Sequence, residues 1–279
     1  MNGDPQSSES PDEPILRFED VTVRFDDLEA LSHVSFQALT GESRVILGAA
    51  GSGKTILLKT ALGLIKPDSG RVFVFGKEIS AMPEQDLFEV RSRIGMLFQE
   101  SALFDSLTVG ENVAYPLENQ KPICCPPGEV YPRVVENLEF VELGGTLEKF
   151  PSELSGGMRR RAAIARAAVT TPPLMLYDSP TAGLDPITAE TIIALLIKER
   201  DVKQSTTLVV TYRYQDGNLI ANFRYNPKLG NLEPASSGAI RARTTFMVLR
   251  EGRLVFEGDQ DRLEASTDPY ITKFFKKRE

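Results

Sequence analysis

The octapeptide GAAGSGKT (48–55) stands between a short apolar run, SRVILG (43–48), and a helical pattern, TILLKTALGL (55–64). A buried strand that ends in a glycine-rich turn and opens directly into a helix is the P-loop arrangement. Gly48, Gly51 and Gly53 let the backbone N–H groups of the loop, with Ala49, Ala50 and Ser52 between them, curl around a polyphosphate without Cβ clashes. Lys54 supplies a positive charge for the β- and γ-phosphates, and Thr55 a hydroxyl ligand for Mg²⁺. Two more apolar runs, TPPLMLYD (171–178) and TTLVVT (206–211), read as buried strands on either side of a helix, ITAETIIALLIKER (187–200). Strand, turn and helix in this alternation predict an α/β sheet.

The rest of the chain decorates that core. The segment ILRFEDVTVRF (15–25) alternates imperfectly and continues through LSHVSF (31–36), which predicts antiparallel strands. Residues from about 100 to 165 read as mostly helical, with a Pro/Gly loop at 122–128. Residues 214–243 carry Asn, Gly, Pro and Ser without a clear period and predict an inserted loop or irregular hairpin. FMVLREGRLVFEG (246–258) predicts a hairpin turning at Glu251-Gly252, with a C-terminal helix over 259–279. The first 14 residues are polar, acidic and proline-bearing, which predicts a disordered tail with no signal peptide.

Composition narrows the function classes. A length of 279 residues with 41% hydrophobic content can bury a substantial core. The net charge of −7 argues against a nucleic-acid groove. No stretch reaches the roughly 18 apolar residues that span a bilayer, so any membrane role is expected to run through a partner. The two cysteines, Cys124 and Cys125, are adjacent and far from His33, so two reduced thiols in a loop, in a cytosolic chain, are the expectation.

A P-loop alone does not choose among kinases, GTPases and transport ATPases. A second motif does. LSGGM (154–158) precedes a helix rich in arginine and alanine, which places Ser155, Gly156 and Gly157 at a helix N-terminus that attracts anions. Standing between a P-loop and the strand ending at Asp178, this motif resembles the signature of the ABC ATPases. The resemblance implies an ABC nucleotide-binding domain, a P-loop NTPase fold spanning 15–258, with an antiparallel strand layer and a helical subdomain near 100–165. It implies a sandwich dimer in which the signature of one subunit closes over the γ-phosphate in the other's P-loop. Phe25 matches the aromatic position that stacks on adenine, although a strand residue there is also a core candidate. Gln99 matches the glutamine that contacts Mg²⁺, Asp178 the aspartate that holds Mg²⁺ through water, and Asp185 of AGLD (182–185) a residue that reaches across the dimer.

Two positions depart from the family pattern. Ser179 stands where a glutamate orients and deprotonates the attacking water, and a hydroxyl cannot accept that proton near neutral pH. Tyr212 stands where a histidine grips the γ-phosphate. ATP and Mg²⁺ binding are therefore expected, with slow or absent hydrolysis at this chain's own site. Longer matches, MLFQESALF (96–104), ENVAYPL (111–117), SELSGGMRRR (152–161) and DPIT (185–188), resemble the ATPases of the Mla and Mce phospholipid systems. That resemblance implies an integral-membrane permease, a second ATP-binding subunit (the same chain or another) and a periplasmic lipid-binding subunit as partners. It also implies a cytoplasmic place on the inner face of the membrane, held there by the permease. Leu103, Phe104, Val109, Val113 and Tyr115 are expected either to face the permease or to build the helical core. The rival reading is a non-hydrolysing clamp driven by ATP-dependent dimerisation, or the degenerate half of a heterodimer.

Overall fold

The computed structural model describes residues 14–120, 122–123, 125–235 and 244–275. The expected N-terminal tail before Pro14, Cys124, the later part of the expected insertion (236–243) and the last four residues lie outside the described residues. The first half of the chain runs β1 (Pro14–Phe25), β2 (Leu28–Leu39), β3 (Ser43–Leu47), α1 (Lys54–Ala61), β4 (Ser69–Val74), β5 (Lys77–Glu78), α2 (Glu84–Arg91) and β6 (Ile94–Leu97). Then come α3 (Val109–Asn119), α4 (Pro127–Phe140), α5 (Gly156–Ala168), β7 (Leu174–Asp178), α6 (Pro186–Lys203) and β8 (Thr206–Thr211). The last part holds α7 (Tyr214–Asn222), β9 (Phe223–Asn226), β10 (Asn231–Pro234), β11 (Thr244–Arg250), β12 (Arg253–Gly258), α8 (Gln260–Glu264) and α9 (Pro269–Thr272).

Six strands form the central sheet in the order β12-β11-β3-β8-β7-β6, and all its pairings are parallel except β11 with β12. Its inner strands β3, β7 and β8 are buried along their whole length, with apolar centres, because both faces are covered. Alternate residues serve opposite cores, as the period of 2 requires. Val45, Leu47, Met175, Tyr177, Val209, Phe246 and Val248 pack with the helices α3 to α7. Ile46, Leu174, Leu176, Leu208, Val210, Met247 and Leu249 pack with α1, α2 and the second sheet. That second sheet is antiparallel, ordered β2-β1-β4-β5, and contributes Leu16, Phe18, Val34 and Val72.

Parallel register brings the functional loops to one edge. Leu47 pairs with Thr211, Asp178 with Val210, and Leu97 with Tyr177, so the P-loop, Asp178, Tyr212 and Gln99 leave the sheet in one row. Ligands bind along this carboxyl edge in open α/β sheets.

Two spans differ from the sequence reading. The segment beginning at 214 opens with the helix α7, and only then turns into the β9–β10 hairpin. The C-terminal span holds two short helices, α8 and α9, each started by an aspartate side-chain cap, Asp259 and Asp268.

Candidate nucleotide site

The P-loop is shaped by contacts that a side chain would break. A Cβ on Gly48 would lie 2.4 Å from Ser52 Oγ and 2.7 Å from the Leu249 carbonyl oxygen. On Gly53, where φ is +102°, it would lie 2.4 Å from the Ala30 carbonyl oxygen. The loop therefore nests between β2 and β11, and the β11–β12 turn seals it, with Gly252 N donating to Ser52 O at 3.1 Å. Lys54 Nζ donates to Gly48 O at 2.9 Å, Ala49 O at 2.7 Å and Ser52 Oγ at 3.3 Å. Burial pulls the Lys54 pKa down, and the Asp178 carboxylate opposes that shift. A half-desolvated ammonium of this kind gains from an arriving polyphosphate.

A cleft of about 850 Å³ opens above the loop. It is lined by Ala49 to Thr55 together with Phe25, Gln99, Ser179 and Tyr212. Phe25, 45% exposed at the end of β1, belongs to this rim and not to the core. Asp178 lies beneath the cleft, 2% exposed, at the end of β7. Ser179 takes a left-handed backbone (φ 48°), its N–H donates to Val210 O at 2.8 Å, and its Oγ donates to Asp178 Oδ1 at 3.2 Å. The hydroxyl is thus spent on Asp178. Tyr212 is half exposed on the far wall.

Two buried residues that sequence reading passed over tie these parts together. Arg160, on α5, donates to Phe98 O at 3.1 Å, to Gln99 O, and to Ala182 O at 3.4 Å. It therefore joins the signature helix to both the Gln99 loop and the turn after Asp178. Its only sequence signal is helical spacing, since i+3, i+4 and i+7 from it are the buried Ala163, Ile164 and Ala167. Asp216, on α7, accepts from Thr181 Oγ1 at 2.6 Å and Thr211 Oγ1 at 2.7 Å, and burial raises its pKa. It pins the turn after Ser179 to the strand end that carries Tyr212.

The signature residues lie elsewhere. Ser155 caps α5 by accepting from Met158 N at 3.3 Å, and Asp185 caps α6 by accepting from Thr188 N at 3.0 Å and Thr188 Oγ1 at 2.5 Å. Ser155, Gly156, Gly157 and Asp185 share a depression of about 490 Å³ that includes no P-loop residue. A Cβ on Gly157 would lie 2.7 Å from Thr188 Cγ2, so that glycine is required for α5 to sit against α6. The P-loop cleft and this depression are thus separate on one chain. A third feature, a groove of about 290 Å³, is lined by Phe98, Phe104, Tyr115, Gln120 and Arg166. The Phe104 and Tyr115 rings meet on its wall with centroids 4.7 Å apart, tilted at 45°, whereas Val109 and Val113 are fully buried and Leu103 packs against the core.

The model of the family described as "ABC transporter" matches residues 31–182, more than half of the chain. The chain belongs to the ABC transporter family. The intermembrane phospholipid transport system ATP-binding protein MlaF of Haemophilus influenzae is 30% identical, the alignment covering 94% of this chain and 90% of that protein. The probable ribonucleotide transport ATP-binding protein mkl of Mycobacterium leprae is 33% identical over 92% of this chain and 67% of its own length. Among solved structures, a dimeric ATP-binding cassette in a post-hydrolysis state with ADP and Pi superposes with a TM-score of 0.71 at 29% identity, covering 88% of this chain and 98% of that one. The fold is accordingly that of an ABC cassette, and the family binds ATP. The residues present suit that ligand: a glycine cradle that side chains would fill, a desolvated lysine, and an aromatic rim. Thr55, Gln99 and Asp178 are the oxygen donors that suit Mg²⁺.

Proposed function

We propose that this ABC subunit binds MgATP and energises phospholipid transport between membranes through a permease, while its own cleft hydrolyses ATP slowly or not at all. The observation that carries the second half is the Ser179 hydroxyl turned onto Asp178 at 3.2 Å, where catalysis calls for a base facing water. The lipid assignment rests on similarity to proteins named for phospholipid transport, in Haemophilus influenzae and at 34% identity in Escherichia coli.

Each residue then has a task. Phe25 stacks on the base, the amides of Ala50 to Thr55 and Lys54 Nζ bind the polyphosphate, and Thr55, Gln99 and Asp178 hold Mg²⁺. Bound Mg²⁺ would neutralise phosphate charge. Ser155, Gly156, Gly157 and Asp185 present helix N-termini outward, complementing the P-loop of a second ATP-binding subunit. The separation of the two half-sites on one chain supports this dimeric reading. The groove walled by Phe104 and Tyr115 offers the permease an apolar seat. Held by that permease, the subunit sits peripherally on the cytoplasmic face of the membrane.

Loss of the general base costs about 10²- to 10⁴-fold in rate. An intact signature, however, still completes a partner's site. ATP turnover, measured on this chain alone and on a complex with its permease and a second ATP-binding subunit, tests the proposal. Turnover confined to the complex is expected. Absence of turnover in both, with ATP-dependent dimerisation preserved, would favour a regulatory clamp.

A further inference from the structure

Tyr270 belongs to none of the motifs above. It sits on α9, whose first turn is capped by Asp268 Oδ1 accepting from Tyr270 N at 2.7 Å and Ile271 N at 3.3 Å. Its ring meets Phe274 edge-on at 5.5 Å, with Lys273 Nζ at 4.1 Å and the Arg250 guanidinium at 5.3 Å over its faces. Its hydroxyl reaches the P-loop backbone from outside the residues that line the cleft. The Ala49 N–H donates to Tyr270 Oη at 3.1 Å, and Tyr270 Oη donates to Leu249 O at 3.2 Å. Leu249 O is also the atom against which Gly48 packs, a Cβ there falling 2.7 Å away.

Ala49 is therefore held from two sides. Tyr270 takes its amide, and Lys54 Nζ donates to its carbonyl at 2.7 Å. The two ties respond differently to a ligand. A polyphosphate arriving in the loop competes for the Lys54 ammonium and draws it from the Gly48 and Ala49 carbonyls. Tyr270 is not among the residues that line the cleft, so a ligand bound there leaves its hydrogen bond to the Ala49 amide in place. A contact that matters more in the bound state than in the free state raises affinity.

We propose that Tyr270 is a positioning residue of the nucleotide site, holding the Ala49 amide so that the P-loop keeps its receiving shape once Lys54 engages phosphate. The inference rests on reading the P-loop cleft as the ATP site. It also makes the C-terminal segment part of that site's machinery, which no P-loop or signature motif implies.

Tyr270→Phe in the full chain keeps the ring contacts and removes only the hydroxyl. Its dissociation constant for MgATP is expected to rise about 3- to 10-fold, the size that one hydrogen bond provides. Amide hydrogen exchange in the peptide containing Ala49 is expected to quicken with MgATP bound. A tyrosine serving stability alone would instead lower the unfolding midpoint of the nucleotide-free protein and leave MgATP affinity untouched. Wild-type affinity in Tyr270→Phe, whatever its exchange, overturns the proposal. Lys54→Ala is the control: if it binds MgATP as tightly as wild type, the ATP reading of the cleft fails, and the role of Tyr270 fails with it.

Discussion

Ser179 occupies a left-handed backbone well that costs a side-chain-bearing residue about 1–2 kcal/mol, and it persists because its N–H is tied to Val210 O. The residue after Asp178 is thereby aimed at the cleft edge, whatever its side chain. A glutamate grafted there inherits the geometry and supplies the missing base. Ser179→Glu combined with Tyr212→His is predicted to raise ATP turnover by about 10²-fold or more, from the size of general-base effects. Steady-state phosphate release checks this, and unchanged turnover would mean that the block lies elsewhere. At this scale the P-loop and signature were legible because their requirements are local: glycine where a Cβ would strike Ser52, Ala30 or Thr188, and lysine at a helix start. Arg160, Asp216 and Tyr270 were not. Their partners are carbonyls and hydroxyls brought close only by the fold, as with Arg160 and Phe98, 62 positions apart.

Among elements, α7 shows why a helix escaped the sequence reading. Its sequence, YQDGNLIAN, combines Asp, Gly and two Asn, all poor helix formers. Packing explains the glycine, since a Cβ on Gly217 would lie 2.6 Å from the Phe246 ring and 2.8 Å from Val45. Tertiary contact overrides propensity here. Strands β3, β7 and β8 were easier to read because both of their faces are buried and each carries an apolar run at its centre. The interface of α6 with β7 and β8 carries a testable liability. Glu199 is fully buried, accepts from Tyr177 Oη at 3.2 Å and Ser205 Oγ at 2.8 Å, and burial pushes its pKa up to about 7. The folded chain therefore holds a proton between about pH 4.5 and 7 that the unfolded chain has released, so stability falls as pH rises through that window. The full loss, about 3 kcal/mol, is present above pH 7. Glu199→Gln is predicted to flatten that slope and to match or exceed wild-type stability at pH 7.5 in urea titrations. A variant as pH-dependent as wild type, and weaker, would contradict this.

Three concave surfaces of the molecule are tied together by α5. The P-loop cleft, the signature depression and the Phe104–Tyr115 groove all touch segments that Arg160 or Arg166 holds, the latter donating to Ala102 O at 2.7 Å and Ser101 O at 2.9 Å. Under the proposed function, a permease seated in the groove would be coupled to both the cleft and the depression through this one helix. Phe104→Glu, which places a charge on the groove wall, is predicted to weaken permease co-purification at least about tenfold while MgATP binding persists. Normal co-purification would remove the groove from the interface. No helix among the described residues is long and apolar enough to cross a membrane. The proposed role requires that this cassette bind ATP yet not turn it over unaided. Its most direct test is ATP hydrolysis by the purified chain beside Lys54→Ala, under conditions where MgATP binding is measured in parallel. Saturable binding lost in Lys54→Ala is expected, with turnover at the background of that variant. Robust turnover by the isolated chain, abolished by Lys54→Ala, would contradict it.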